Sequence, residues 1–154
     1  MSRFAALLLT AALMSSAAEL STKKALNLAT VKAMVAAAEA EEQKRNVQVT
    51  ICIVDESGNL LFLQKADGAG LNTILFAQKK ARHAAYFRSP SKNASDSLKS
   101  GNMAQLALPE SLPVQGGLPI KVDGQTIGAI ACSGAASEVD EAISQAAIDA
   151  VIPK

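Results

Sequence analysis

Two pairs of strand-like segments, each joined by a short turn, most constrain the fold of this chain. Residues 47–54 alternate with period two, and the apolar residues 60–64 predict a returning strand after a turn rich in Asp, Gly and Asn. Segments 118–122 and 126–133 are apolar strands joined by the Asp-Gly pair at 123–124, which is a strong hairpin signal. Because hairpins pair strands antiparallel, these segments exclude a doubly wound parallel sheet.

Helical patterns lie before, between and after the two hairpins. Residues 28–45 carry apolar side chains at helical spacing, and Asn27 is expected to cap the helix. A second helix is predicted to begin near Asn72 or Thr73 and to end before Pro90.

The second half of the chain predicts two further helices. A shorter helix opens at residues 89–91, and Gly101 fits its C-terminal cap. Ser137 is expected to cap the last helix, with Asp140 three residues on in a pattern that resembles a capping box. The element order is helix, hairpin, two helices, hairpin, helix. This order predicts an α+β fold, an antiparallel β-sheet covered by helices.

The N-terminus has the pattern of a secretory signal peptide. Arg3 precedes the apolar residues 4–14, and small residues follow at 15–18. We expect cleavage after Ala18, which leaves residues 19–154 as a single periplasmic or secreted domain. The apolar run is too short to span a bilayer, so no stable membrane insertion is expected after cleavage. The alternative is an uncleaved helix that anchors the chain.

The charge balance argues against a nucleic-acid partner. The net charge is +1, and basic and acidic residues are mixed along the chain, so nothing indicates an electrostatic nucleic-acid footprint. Removal of Arg3 with the leader reduces the 15 basic residues to 14, equal to the 14 acidic ones. A formally neutral mature chain is compatible with self-association.

Three of the four aromatic residues after residue 18 fall in one helical segment with the single histidine, His83. The helical wheel places small or apolar side chains on one face, suited to close packing on a sheet: Ile74, Ala77, Ala81, Ala84 and Ala85. It places His83 on the opposite face with Phe76, Lys79, Lys80, Tyr86 and Phe87. Rings, cations and an imidazole on one face could bind a planar, anionic, metal-containing ligand such as haem. The alternative is an ordinary surface or interface.

Other segments admit both a functional and a structural interpretation. The backbone amides of residues 115–117 could bind a carboxylate, or the glycines could form a turn that lets the next strand start close to its neighbour. Asp55 and Asp67 could act as a general-base pair, but Asp is common in glycine turns. Met103 could be a second axial ligand or could fill the core.

Ordered motifs along nearly the whole mature chain resemble the GlcG/HbpS-like haem-binding family. The motifs begin at Leu26-Asn-Leu-Ala, Val54-Asp55-x-x-Gly58 and Asp67-Gly68-Ala, and continue with Lys80-Ala81-Arg82-x-Ala84-Ala85 and Phe87-x-x-Pro90-Ser91. They end with Gln115-Gly116-Gly117, Gly124-x-x-Ile127-Gly128, Ser133-Gly134-Ala135 and Asp140-Glu141-Ala142. Each motif alone is weak, and their common order and spacing carry the resemblance.

The resemblance implies a profilin-like antiparallel sheet with helices on both faces, and homo-oligomers of such domains. Some members of the family are exported and bind haem, and one group is linked to haem degradation and redox sensing. Others are encoded beside genes of small-acid catabolism and have no settled activity. The resemblance therefore implies the fold more strongly than the function.

At the position of His83 the family often has a threonine, and an imidazole is a stronger iron ligand than a hydroxyl. We therefore expect His83 to bind iron, Lys79, Lys80 or Arg82 to bind the propionates, and the aromatic side chains to flank the ring. Nearby cations are expected to keep the imidazole neutral. Two alternatives are open: an accessory or small-acid-processing enzyme that uses the glycine loop and Arg82, and a structural or signalling partner.

The strand order implied by the resemblance would place Cys52 and Cys132 on neighbouring strands. Both side chains could then point into one helix-covered layer. A disulfide requires directly opposed positions, and the sequence does not specify the register. The two cysteines could therefore form a disulfide or remain two buried free thiols, and we expect the free thiols.

Overall fold

The computed structural model describes residues 19–152, so the predicted signal peptide lies outside the described residues. The elements in chain order are α1 (Leu28–Lys44), β1 (Thr50–Asp55), β2 (Leu60–Lys65), α2 (Thr73–Phe87), α3 (Ser91–Lys99), a 3₁₀ turn (Met103–Leu106), β3 (Gly117–Val122), β4 (Gln125–Ser133) and α4 (Ser137–Asp149). This order confirms the predicted succession of helices and hairpins. Within residues 19–152 no helix has the length and apolar character needed to cross a membrane.

The four strands form one antiparallel sheet in the order β2-β1-β4-β3. The last strand therefore pairs with the first, as the resemblance implied. Helices α1 and α4 pack on one face, and the core of that layer includes Met34, Ile51, Ile130 and Ile143. Helix α2 packs on the other face through a layer built largely of alanines. Helices thus cover both faces of the sheet, which confirms the predicted α+β class.

Local caps agree with the sequence in α1 and α3 but not in α4. The Asn27 side chain caps α1 by accepting the Thr30 N–H at 2.8 Å, and Gly101 follows α3 with a φ of +99°. The predicted Ser137 cap is wrong, because Ser137 is already helical and Ala136 precedes it without a side-chain cap bond.

Asp140 does not complete a capping box with Ser137. Its Oδ1 instead accepts the Ala135 N–H at 3.0 Å, and its Oδ2 accepts a hydrogen bond from Lys80 on α2. The long-range partner therefore directs this carboxylate into the protein interior and away from the N-terminus of α4.

The two hairpin turns have the structural roles that their residues suggest. Asp123 and Gly124 both have positive φ values, +50° and +76°, which matches the twist that a two-residue hairpin requires. In the first hairpin, Asp55 Oδ1 accepts the N–H groups of Ser57 and Asn59, each at 2.8 Å. The structural interpretation of Asp55 is therefore confirmed.

Both cysteines are buried and free, which confirms the expected pair of thiols. Cys132 is opposite Ile51, and Cys52 is opposite Ala131, so the register is offset by one residue. Because successive side chains alternate between faces, Cys52 lies in the α2 layer and Cys132 in the α1–α4 layer. The interpretation that both point into one layer is wrong. Burial raises the pKa of each thiol to about 12.

Candidate functional site

Helix α2 packs on the sheet through its alanines, as predicted. Ala77, Ala81, Ala84 and Ala85 are all buried, and their small side chains let the helix backbone approach the strands. Ile74, predicted on the same face, is partly exposed. Thr73 anchors the first turn instead, through a hydrogen bond of 2.7 Å between its hydroxyl and that of Thr50.

Lys80 does not lie on the outer face, and its predicted place beside His83 on an open surface is wrong. Only 2% of the residue is exposed, and Nζ donates hydrogen bonds to Asp140 Oδ2 at 2.8 Å and to the Cys132 carbonyl oxygen at 3.2 Å. The segment before β3 and helix α4 cover this side of α2, so the aliphatic stem is buried and the ammonium group pairs internally.

His83 lies beneath an irregular segment that the helical wheel could not place. Its Nδ1 accepts the Leu112 N–H at 3.1 Å, and only 2% of the residue is exposed. Its ring centroid is 4.6 Å from that of Phe87, with the planes tilted by 40°. Residues 107–114, which we call the strap, run between the 3₁₀ turn and β3 and supply this hydrogen bond.

The imidazole of His83 is held neutral, as expected, but by a different cause. Burial away from water lowers the pKa of His83 below its ordinary value of 6.5. Neighbouring cations were the expected cause, but Lys80 is neutralised by Asp140 and Arg82 is paired with Glu110. Since Nδ1 accepts a backbone N–H, the proton of the neutral ring resides on Nε2.

The remaining predicted site residues lie along the outer side of α2 but do not converge on one point. Arg82 Nε is 2.9 Å from Glu110 Oε2, and its guanidinium lies 5.9 Å from the centre of the Tyr86 ring. Tyr86 leans toward the turn between β1 and β2, where its ring lies close to Gly58. Phe76 is half-buried, and Lys79 is exposed.

Phe87 faces the other way, toward a shallow pocket that also contains His83. The pocket has a volume of about 190 Å³ and is lined by His83, Phe87, Ser89, Asn93, Ala94, Gln105 and Leu108. Small-molecule sites typically measure about 300–1,000 Å³, so this pocket accommodates the edge of a large planar ligand rather than the whole of it. Met103, at 64% exposed, lies on the neighbouring 3₁₀ turn and does not fill the core.

Two backbone groups of the glycine loop before β3 have partners inside the protein. The Gly117 N–H donates to Ser91 Oγ at 2.9 Å, and the Gly116 carbonyl oxygen accepts from the Ser144 hydroxyl at 2.9 Å. A Cβ on Gly117 would lie 2.3 Å from the Lys80 carbonyl oxygen. The glycines therefore let β3 begin directly against α2, as the structural interpretation predicted.

Glu110, Leu112 and Asp140 were not recognised from the sequence as partners of the α2 residues. Glu110 is 28 positions from Arg82 and Leu112 is 29 positions from His83. Asp140 is 60 positions from Lys80. The segment around Glu110 has no periodicity, so a single sequence carries no local signal for these contacts.

The donor set around the pocket fits a haem. His83 supplies a neutral imidazole and Phe87 a flat ring beside it. Lys79 is outside the pocket lining, but it is exposed one helical turn before His83 and offers a cation for a propionate. The orphaned Ser111 Oγ on the strap is buried without a hydrogen-bond partner in the described part of the chain, so a polar group near the site is left unsatisfied. Full access to the imidazole requires the Leu112 contact to break.

The chain is thus a small α+β domain in which a buried imidazole and one phenyl ring line a shallow pocket. The family model described as haem degrading protein HbpS-like matches residues 26–149. The chain therefore belongs to the HbpS-like family. This confirms the resemblance seen in the sequence and makes haem the candidate cofactor.

Individual relatives agree with this assignment. Protein GlcG of Escherichia coli strain K12 is 36% identical over 112 residues, which cover 73% of this chain and 84% of GlcG. The crystal structure of Klebsiella pneumoniae protein ORFY is similar, with a TM-score of 0.80 and 27% identity over 88% of this chain and 97% of ORFY. The structure of PduOC in complex with haem has a TM-score of 0.77 and 27% identity, covering 83% of this chain and 96% of PduOC.

Proposed function

We propose that this chain is an exported, oligomeric haem-binding protein that holds the haem against the C-terminal half of α2. The observation that carries the proposal is His83, a buried neutral imidazole beside Phe87 that borders a shallow pocket. Family membership and the haem complex of PduOC support haem as the ligand. The role we propose is haem handling or redox sensing, and membership of a family described as haem degrading supports the first of these.

Each residue has a distinct part in the proposed site. A bound haem would supply a redox-active iron that a side-chain nitrogen can ligate. His83 would provide that ligand, and Phe87 would pack against the ring. Lys79 would pair with a propionate, and Arg82 could do so only by exchanging its partner Glu110. Phe76 and Tyr86 lie outside the lining of the His83 pocket and are given no contact with the ligand. Lys80 takes no part because its ammonium group is buried with Asp140.

Hemin titration of the wild type and of His83→Ala tests this proposal. The wild type should develop a Soret band at one haem per chain. His83→Ala should weaken binding by about tenfold or more, or shift the band to shorter wavelength, with an unchanged far-UV circular dichroism spectrum. Lys99→Ala, an exposed cation on α3, is the control for non-specific electrostatic binding. Equal affinity and an equal spectrum in His83→Ala would reject His83, and loss of the band in Met103→Ala would move the ligand to Met103.

Export and self-association are parts of the same proposal. The pattern of Arg3, an apolar run and small residues supports export. Exposed apolar side chains such as Leu71, Leu75 and Leu60 support an interface between copies of the chain. N-terminal sequencing of protein from the periplasmic fraction should begin at or near Glu19. A chain that retains Met1 and stays with the cytosolic fraction would contradict export.

A further inference from the structure

The strap is held to α2 by two consecutive side chains of that helix. The Leu112 N–H donates to His83 Nδ1 at 3.1 Å. Two residues earlier, the Glu110 carboxylate pairs with the Arg82 guanidinium, with Nε–Oε2 at 2.9 Å and Nη2–Oε1 at 3.1 Å. The same residues of α2 that were predicted to bind a ligand therefore hold the strap in place.

The closed strap and an external ligand compete for the imidazole. A neutral imidazole has one nitrogen with a free lone pair, and in His83 this is Nδ1, which accepts the Leu112 N–H. Nε2 then carries the proton and cannot bind a metal. With only 2% of the residue exposed, the ring is also shielded from solvent. Binding through either nitrogen therefore requires the Leu112 contact to be given up.

Three features of the strap contribute little to its stability or cost free energy. Its ion pair is partly solvated, with 42% of the Arg82 side chain and 38% of the Glu110 side chain exposed, and such pairs contribute little to stability. Glu110 has a φ of +60°, which is uncommon for a residue with a side chain. Ser111 Oγ is buried without a hydrogen-bond partner among the described residues, which is a cost that opening removes.

We propose that the strap, residues 107–114, is a cover over His83 and that its release controls access to the imidazole. Glu110 is the latch, because its carboxylate pairs with the Arg82 guanidinium. The identity of the incoming ligand rests on the proposed haem function, whereas the cover itself rests on the contacts described above. If only molecules with an open strap bind the ligand, both the association rate and the apparent affinity of the ligand for His83 are proportional to the fraction of open molecules.

Acylation of His83 by diethyl pyrocarbonate tests the cover without any haem. The chain has a single histidine, so the absorbance change near 240 nm reports this ring alone. Glu110→Gln removes the charge of the latch with little change in shape. It should raise the rate of acylation about two- to fivefold, as expected for loss of a partly exposed ion pair. Glu138→Gln, which changes an exposed glutamate on α4, is the matched control and should react like the wild type.

Hemin association measured by stopped flow on the same variants separates the two proposals. An acylation rate of Glu110→Gln equal to that of the control overturns the cover, whatever hemin does. Faster acylation together with faster hemin association supports both proposals. Faster acylation of a protein that does not bind hemin through His83 supports the cover and rejects the haem function.

Discussion

Replacing Lys80 by methionine should destabilise the protein by about 3–5 kcal/mol, because the Asp140 carboxylate would lose its buried partner. The Nζ–Oδ2 distance is 2.8 Å, and both side chains are 3% exposed. Equilibrium urea denaturation measures the loss. Lys79→Met, which changes the adjacent exposed lysine, is the matched control and should stay within about 0.5 kcal/mol of the wild type. An equal loss of stability in the two variants would show that the Lys80–Asp140 ion pair contributes no more to the free energy of unfolding than the exposed Lys79.

The pH dependence of the free energy of unfolding tests whether the unpaired Asp140 carboxylate destabilises the Lys80→Met variant. Burial raises the pKa of Asp140 above its ordinary value of 3.8, and Lys80 opposes that effect. Without Lys80 the folded state should take up a proton at Asp140 before the unfolded state does. The difference in stability between wild type and variant should therefore shrink as the pH falls toward 3.8. The double variant Lys80→Met and Asp140→Leu should recover much of the lost stability, because an apolar pair leaves no buried charge.

Gly117→Ala should have an effect of similar size for a steric reason. The added Cβ would lie 2.3 Å from the Lys80 carbonyl oxygen and 2.7 Å from its carbonyl carbon, and these backbone atoms cannot rotate away. We expect a loss of about 3 kcal/mol or more, at the upper end of the range for overpacked sites. Such a loss lowers Tm by roughly 6 °C or more in a chain of this size.

Gly70→Ala is the control for Gly117→Ala. The nearest atom to its added Cβ is Asn72 Oδ1 at 2.9 Å, at the end of an exposed side chain that can move. Its Tm should stay close to that of the wild type in differential scanning calorimetry. A Gly117→Ala protein as stable as Gly70→Ala would mean that β3 and α2 are not in close contact.

The elements of this fold were predictable from local signals. Asn27 caps α1 through its own side chain, and Gly124 adopts the positive φ that its hairpin needs. The alanines of α2 lie on the sheet because helical spacing places them on one side. Each of these features depends on residues within a few positions of one another, so one sequence is sufficient to recognise them.

The site was only partly predictable. Elements other than the sheet also pack against α2, so more of its residues are buried than the sheet alone would cover. A helical wheel assumes one covered face, and it left Lys80 and His83 outside that face. In the structure these two residues are covered by the glycine loop before β3, by helix α4 and by the strap. The glycine loop comes within contact distance of Lys80 only because Gly117 has no side chain. The faces of Cys52 and Cys132 depend in the same way on a strand register offset by one residue.

The α+β class, the order of the elements, most of the turns and caps, and the resemblance to the HbpS-like family were all predictable from the residues alone. Three features depend on the packed fold: which α2 side chains are exposed, which carboxylate pairs with Lys80, and which backbone N–H donates to His83. Caps, turns and amphipathic patterns act over one or two turns of chain, whereas these contacts join residues 29 and 60 positions apart and exist only once the layers have packed.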